Sequence, residues 1–289
     1  MFHPWHEGRT ANHLRHSKRK DLPPAGLEFP DAESHVRIVR SLISMVKRLV
    51  RAAAPSWAVE AVRRGLEKFD PFVNLAYSQD GEDMILRRLF ERQKSGFYVD
   101  VGAHHPYRFS NTCYFYRRGW RGINIDPNPE AIEAFCRHRP SDTNICVGVS
   151  DAGASLSFHF FNEPALNTFD SELAAERVRL PDYHLLETKS VPVRRLDDLL
   201  AEYLQPDQQI DFLSIDVEGV DLSVLRSNDW SVFRPRILLV EARRRSVSGI
   251  ETDPINRFAV AAGYQLIAKT LNTLIYEDGS STAASGRVS

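Results

Sequence analysis

Two short apolar runs, each closing on an acid, form the most informative stretch of the chain. The first run, Phe97–Val101, carries Asp100 near its end and is followed at once by Gly102. The second run, Gly122–Ile125, leads directly into Asp126. At the edge of a parallel sheet, such a glycine lets the backbone approach a ligand, and the acid after the next strand can accept both hydroxyls of a ribose. We therefore expect a nucleotide-type cofactor here.

The glycine pattern distinguishes between cofactors. A dinucleotide turn has the form G-x-G-x-x-G, because a pyrophosphate lies against the turn and the following helix N-terminus. Here Gly102 is followed by Ala-His-His-Pro, so no second glycine is available to cradle a phosphate. The carboxylate of Asp100 would repel a phosphate and suits a cation. S-adenosylmethionine (SAM) carries an ammonium and a sulfonium but no phosphate, so the pattern favours SAM over NAD.

Several segments of the chain together resemble the FkbM-type methyltransferase family. They are YSQDGED (77–83), VDVGAHHP (99–106), SNTCYFYRRGWRGINIDPNP (110–129), LSIDVEGVDLSVLRSNDW (213–230) and RILLVEAR (236–243). The resemblance implies a SAM-dependent methyltransferase of α/β class, commonly acting on hydroxyls of sugars or natural products. Its Rossmann-like fold is a three-layer αβα sandwich around a seven-stranded, mostly parallel sheet. Many methyltransferases have a second glycine where this chain has His-His-Pro, which leaves the shape of the methionine pocket open.

Further cofactor contacts are expected from polar residues that follow the strands. Asn128, in the loop after Asp126, is placed to contact the adenosine. Ser150 and Asp151 follow the third strand, where many SAM enzymes place a polar group near the adenine amino group. The alternative for Ser150 and Asp151 is an ordinary turn, since Asp-Ala-Gly is good turn chemistry. For Asp100 and Asp126 the alternative is that a strand-end acid caps the next helix.

The fourth strand is followed by Asp216 and Glu218, two acids that point the same way if the strand continues. Asp216 is expected to bind the cofactor, and Glu218 is a catalytic candidate. Such carboxylates could accept the proton of a substrate hydroxyl, or they could hold a divalent metal that lowers the hydroxyl pKa. The alternative role for Asp216 is to order the loop by accepting backbone N–H groups.

Three more residues are candidates for the general base. His104 and His105 lie just beyond Gly102, and a histidine titrates near neutral pH. Glu241 ends the fifth strand at the same expected edge. The alternatives are a histidine that packs the turn before Pro106 and an acid that merely ends a strand.

Composition narrows the partners and the compartment. A net charge of −1 gives no overall attraction to nucleic acid, and the D/N-P-P-F/Y tetrapeptide of nucleic-acid amino-methyltransferases is absent. We expect a small-molecule or glycan acceptor. Three cysteines without CxxC, no signal peptide and no long apolar run predict a cytoplasmic protein. The rival functions are a non-catalytic binding or scaffold protein with a relict methyltransferase domain and an NAD-linked oxidoreductase.

The chain divides by pattern into four parts. Residues 1–32 form a basic, His-rich leader predicted to be disordered, and residues 33–70 a helical extension. The methyltransferase domain is expected over 71–277, with a substrate insertion at about 152–195, and a mobile tail over 278–289. Residues 36–51 read as a basic amphipathic helix, which either docks on the domain or contacts a membrane surface or a partner.

Apolar patterning also predicts the main elements. Strands are expected at 97–101, 122–126, 144–149, 155–161, 190–194, 210–215, 237–241, 264–268 and 273–276. Helices are expected at 82–93, 111–117, 128–138, 170–179, 196–204, 221–226 and 254–262.

Overall fold

The computed structural model describes residues 74–243 and 246–280. The predicted leader, the predicted helical extension with its amphipathic segment and the tail beyond Ser280 lie outside the described residues. The described strands are β1 (Phe97–Val101), β2 (Arg121–Asp126), β3 (Thr143–Cys146), β4 (Gly148–Val149), β5 (Ser155–Phe161), β6 (Leu185–Arg194), β7 (Phe212–Ile215), β8 (Ile237–Glu241), β9 (Tyr264–Lys269) and β10 (Thr273–Asp278). The described α-helices are α1 (Glu82–Leu89), α2 (Cys113–Tyr116), α3 (Pro129–His138), α4 (Ser171–Arg177), α5 (Leu196–Tyr203), α6 (Asp221–Arg226) and α7 (Pro254–Ala261).

Seven strands form one sheet in the order β3–β2–β1–β7–β8–β10–β9. Strand β10 runs antiparallel to both of its neighbours, and the other pairings are parallel. The predicted α/β fold with a seven-stranded, mostly parallel sheet is therefore confirmed. Because parallel strands end at one edge, Asp126, Asp100, Asp216 and Glu241 are brought to the same side of the sheet.

Alternate residues of the central strands enter two apolar layers, one on each face of the sheet. Val99 of β1 and Leu213 of β7 belong to the layer that includes Leu199 of α5. Tyr98 of β1 belongs to the opposite layer, which includes Phe90. Since helices cover both faces, the central strands are apolar along almost their whole length.

The prediction of one continuous strand over 144–149 is wrong, because this segment forms the two strands β3 and β4. Pairing between β2 and β3 stops at Asp126 and Cys146, where β2 ends. The chain then joins a second, three-stranded sheet of order β4–β6–β5. Strand β6 begins at Leu185 rather than at Ser190, because it pairs with β5 along its length. Its first residues are exposed, so no apolar run marks them in the sequence.

The end of the last strand also differs from the prediction. The segment from 278 onward is predicted to be mobile, yet β10 continues through Asp278. The Asp278 side chain is buried, and its Oδ1 accepts hydrogen bonds from Arg234 Nε and Nη2 at 2.9 and 2.6 Å. The ion pair between Arg234 and Asp278 thus fixes the end of β10, although the local composition predicted a mobile tail from residue 278 onward. No helix in the described part of the chain has the length and apolarity that a membrane crossing needs.

Candidate functional site

A cavity of about 880 Å³, including its open mouth, lies at the carboxyl ends of β1, β2 and β7. Seven of the residues singled out in the sequence line it: Asp100, Gly102, His104, Asp126, Asn128, Asp216 and Glu218. The other four, which are His105, Ser150, Asp151 and Glu241, are not among its lining residues. The topology therefore gathers most of the predicted site at one place.

Gly102 marks the point where the loops after β1 and β7 meet. Its φ is +79°, a conformation that favours glycine. A Cβ built on it would lie 1.7 Å from the carbonyl oxygen of Asp216. The sequence suggests that this glycine makes room for a ligand. In the structure it lines the cavity, but the close approach that excludes a side chain is that of the Asp216 backbone.

Asp100 presents a buried carboxylate to the cavity. Its Oδ2 accepts a hydrogen bond from Thr112 Oγ1 at 2.8 Å. Burial raises the pKa of Asp100 to about 6, although the Thr112 hydrogen bond acts in the opposite direction. The N–H group of Cys113, at the start of α2, donates instead to Ser110 Oγ at 3.1 Å. Asp100 is thus not the cap of the next helix.

Asp126 is fixed by backbone donors on both of its oxygens. Oδ2 accepts from the N–H of His104 at 2.9 Å, and Oδ1 accepts from the N–H of Asn128 at 2.8 Å. Burial raises the pKa of Asp126 to about 6 against these hydrogen bonds. The cap of α3 is Asn128, whose Oδ1 accepts from the N–H of Glu130 at 3.1 Å. Asp126 is therefore free of the capping role and faces the cavity.

Ser150 and Asp151 form the turn that the sequence left as their alternative. The hydroxyls of Ser150 and Ser223 lie 2.9 Å apart, and the Ser223 hydroxyl also donates to the exposed carboxylate of Asp151. These contacts hold Ser150 and Asp151 against α6, and neither residue lines the cavity. The same segment reaches the cavity through Val147 and Val149 instead, which are apolar and carried no chemical signal in the sequence.

Asp216, Glu218 and Glu241 form a cluster in which one carboxylate oxygen of each lies within 4.8 Å of the others. Pairing of Ile215 with Val240 sets the register that brings Asp216 beside Glu241. Burial within the domain, together with the charges of Glu241 and Glu218, raises the pKa of Asp216 well above its ordinary value. These three residues are the ones that could hold a divalent metal.

Glu241 is, with Glu218, one of the two partly buried members of this cluster. Among the described residues, its Oε2 is buried and has no hydrogen-bond partner. Burial first, and then the charge of Glu218, raises the pKa of Glu241 to about 8. The Asp216 side chain, in contrast, is exposed toward the cavity that it lines. The cluster therefore combines one accessible carboxylate with one that is withdrawn behind it.

Two residues missed in the sequence support the cluster. Arg177 of α4 is buried, and its Nη2 donates to Glu218 Oε2. Asp221, in the first turn of α6, accepts from the N–H groups of Val217 and Gly219 at 3.1 and 3.2 Å. Asp221 therefore orders the loop, which is the role considered for Asp216. The position of Asp221 at the start of a predicted helix could have indicated this role. No local sequence pattern connects Arg177, which lies in the insertion, to the carboxyl edge of the sheet.

The two histidines differ in their surroundings. His104 has a φ of 53° and lines the cavity, and its Nε2 is buried without a partner among the described residues. Burial, followed by the charge of Arg108, lowers the pKa of His104 to about 4. His105 Nδ1 accepts from the N–H groups of Tyr107 and Arg108 at 3.1 and 3.0 Å. His105 thus stabilises the turn around Pro106, which is the structural role that the sequence offered as the alternative to catalysis.

Comparison with known proteins identifies the family. The sequence model of the Methyltransferase FkbM domain matches residues 100–266, which is more than half of the chain. The chain belongs to this family. No curated protein matches it. The protein is accordingly a SAM-dependent methyltransferase, as the resemblance implied.

Three methyltransferases are among the solved structures that match the chain. One is a TehB-like SAM-dependent methyltransferase from Corynebacterium glutamicum, with 11% identity, a TM-score of 0.37, and coverage of 76% of this chain and 97% of that one. A methyltransferase from Geobacter sulfurreducens has 14% identity, a TM-score of 0.36, and coverage of 82% and 97%. An O-methyltransferase from Bacillus cereus in complex with SAH has 9% identity, a TM-score of 0.34, and coverage of 80% and 96%.

The insertion of this FkbM-family chain forms one wall of the cavity. Phe158, Asn167 and Phe169 line it from this side. An ion pair joins the insertion to the loop after β1, because Arg108 donates from Nη1 and Nη2 to the two carboxylate oxygens of Glu163 at 2.9 and 3.0 Å. Aromatic faces and an amide side chain thus lie opposite the carboxylates.

The lining also fits the cofactor of the family. Its carboxyl side chains are Asp100, Asp126, Asp216 and Glu218, and within the described ranges no lysine or arginine lines the cavity. Such a lining suits a cofactor that carries an ammonium and a sulfonium. It does not suit the pyrophosphate of NAD, which needs backbone or cationic donors.

Proposed function

We propose that the protein transfers the methyl group of SAM to a hydroxyl of a sugar or natural-product acceptor. The observation that carries this proposal is the carboxylate cluster of Asp216, Glu218 and Glu241 beside the cavity that also holds Asp126. A hydroxyl must lose its proton as it is methylated, and a carboxylate beside it can receive that proton. Phe158, Phe169 and Asn167 offer surfaces for the C–H faces and hydroxyls of such an acceptor.

Each half of the cavity would have its own task. Asp126 would accept the ribose hydroxyls, and Asp100 would face the ammonium group. When bound, SAM supplies a methyl group on a positively charged sulfur. The wall of the insertion would hold the acceptor oxygen in line with the methyl carbon and the sulfur, so that positioning supplies much of the rate.

The proton acceptor is best assigned to a carboxylate. As the oxygen–carbon bond forms, the carbon–sulfur bond breaks with its electron pair going to sulfur, and the hydroxyl proton passes to a carboxylate oxygen. Asp216 lines the cavity, and its pKa is raised from that of an ordinary carboxyl, so its ionised form is a stronger base than an ordinary carboxylate. His104, with its pKa lowered to about 4, is the weaker base, and His105 is engaged by the turn.

A divalent metal on the same three carboxylates is the alternative way to promote loss of the proton. It would lower the pKa of the acceptor hydroxyl, and the carboxylates would then act as ligands. Turnover that is lost with a chelator and restored by Mg²⁺ would favour this version over direct proton transfer.

The first experiment is calorimetric titration with SAM and with NAD. We expect a micromolar constant for SAM, or about −8 kcal/mol, and no binding of NAD. Asp126→Ala should weaken SAM binding by about 1–3 kcal/mol, because the ribose hydroxyls lose a charged acceptor. Unchanged affinity in that variant would remove Asp126 from the site.

The second experiment identifies the reaction. Extracts of small molecules and glycans are incubated with enzyme and SAM, and mass spectrometry is used to find products that are heavier by one methylene group. A new methyl ether on a hydroxyl supports the proposal, and methylation on nitrogen or carbon contradicts it. SAM binding without any product would support the non-catalytic binding protein.

A further inference from the structure

The cavity is lined by acids and, among the described residues, by no basic side chain. Four carboxyl groups line it, and the described residues place no lysine or arginine in its wall. Glu218 is paired with Arg177, and the charge of Arg139 acts on Asp100. Asp126 and Asp216 have no ion pair within the described residues, so a cationic ligand would find these two without a partner.

Carboxyl groups on four adjacent strands form a staggered row along the sheet edge, in the order β2–β1–β7–β8. Asp126, Asp216 and Glu241 lie at or just beyond the ends of their strands, whereas Asp100 pairs with Asn124 and Ser214 and lies two residues further back. Glu241 belongs to the row but does not line the cavity. With the ribose at Asp126, the sulfur of a bound cofactor would lie one or two strands further along the row, beside Asp216.

Asp100 adds a second carboxyl group to the cavity wall, apart from the cluster on β7 and β8. Asp100 is only 5% exposed and lines the cavity, and within the described residues only its Oδ2 accepts a hydrogen bond, from Thr112. Its other oxygen can therefore accept a donor or face a positive charge that a ligand brings.

We propose that this row of carboxylates makes the protein bind positively charged SAM more tightly than SAH, whose sulfur is neutral. The inference rests on SAM being the cofactor of the proposed function. The two ligands share the adenosine and the amino acid part and differ by the methyl group and one charge at the sulfur, so their affinity ratio reports the field at that point. A site that favours the charged form would release its product readily.

The test is calorimetric titration of the full-length protein with SAM and SAH in buffer that contains a chelator. We expect SAM to bind about tenfold more tightly, equivalent to about 1.4 kcal/mol. Asp216→Asn should reduce this ratio to about threefold or less, mainly by weakening SAM. Asp126→Asn removes one negative charge from the far end of the row and is the matched control, which should weaken both ligands by the same factor.

Salt provides a readout that needs no variant. Screening weakens charge interactions at higher ionic strength, so raising NaCl should weaken SAM more than SAH in the native protein. This measurement decides the question if Asp216→Asn fails to fold. Equal affinities, tighter binding of SAH, or an equal effect of salt on both ligands would overturn the inference. If neither ligand binds, the proposed function fails together with it.

Discussion

The two halves of the sheet edge hold their carboxylates in different ways. At the ends of β1 and β2, Asp100 and Asp126 accept hydrogen bonds from a hydroxyl and from backbone N–H groups. At the ends of β7 and β8, Asp216 and Glu241 face each other, and Glu241 Oε2 has no donor within the described residues. In the first half, donors of the protein itself stabilise the carboxylates. In the second half, Asp216 and Glu241 would repel each other when both are ionised, and a bound cation or proton would relieve that repulsion.

This difference follows from what surrounds each acid. All four acids lie at the end of an apolar strand or within one residue of it, so the local pattern is similar. The loop after β1 donates the N–H group of His104 to Asp126, whereas the loop after β7 donates two N–H groups to Asp221. The loop after β7 thus gives the N–H groups of Val217 and Gly219 to Asp221 rather than to Asp216.

The largest loss of stability is expected from a substitution at Gly102, where the loops after β1 and β7 meet. Gly102→Ala should lower the free energy of unfolding by about 3 kcal/mol or more, because the added Cβ would overlap the Asp216 carbonyl oxygen. Gly119 has a φ of +92° and open space around a Cβ, so Gly119→Ala should cost only about 1 kcal/mol. Denaturant unfolding of both variants measures the difference. Equal losses would mean that the two loops do not touch.

Removal of Arg177 should have the next largest effect. Arg177→Met leaves Glu218 without its cation beside the other acids, and we expect a loss of about 2–4 kcal/mol. Arg243→Met is the control, since its ion pair with Glu176 is exposed on both sides and should contribute less than about 1 kcal/mol. The comparison uses the same unfolding experiment. Similar small losses would show that the second half does not depend on the insertion.

The pH dependence of stability should separate the two halves with a smaller effect. Burial raises the pKa of Asp100 and Asp126 to about 6 and that of Asp221 and Glu241 to about 8. A raised carboxyl pKa means that the folded state holds protons more tightly, so stability is lost as pH rises through that value. The lowered pKa of His104 acts in the opposite sense, with stability lost as pH falls below about 6.5.

Above pH 7, therefore, the second half should dominate. The free energy of unfolding of the ligand-free protein should fall by about 1–2 kcal/mol between pH 7 and 9. Glu241→Gln should flatten this slope, and Glu133→Gln on the exposed face of α3 should not. A stability that rises over this interval would contradict the assignment of protonated carboxyls to β7 and β8.

The sequence predicted those parts of the molecule that depend on local patterns. β1, β8 and α6 have the predicted bounds, because short apolar runs closed by acids or glycines define them. Partners far along the chain decide the rest. The break between β3 and β4 depends on where β2 ends, and Asp278 depends on Arg234. The role of Arg177 likewise follows from a contact that no spacing shows, whereas Asp221 stands at a helix start that the sequence did indicate.

The assignment of the first half to the ribose is the centre of this account, and a crystal structure of the protein with bound SAH tests it most directly. We expect the two ribose hydroxyls to lie within hydrogen-bond distance, about 3 Å, of the Asp126 carboxylate, with the sulfur beside Asp216. A ribose bound to Asp216 or Glu241, or a ligand outside this cavity, would contradict the account.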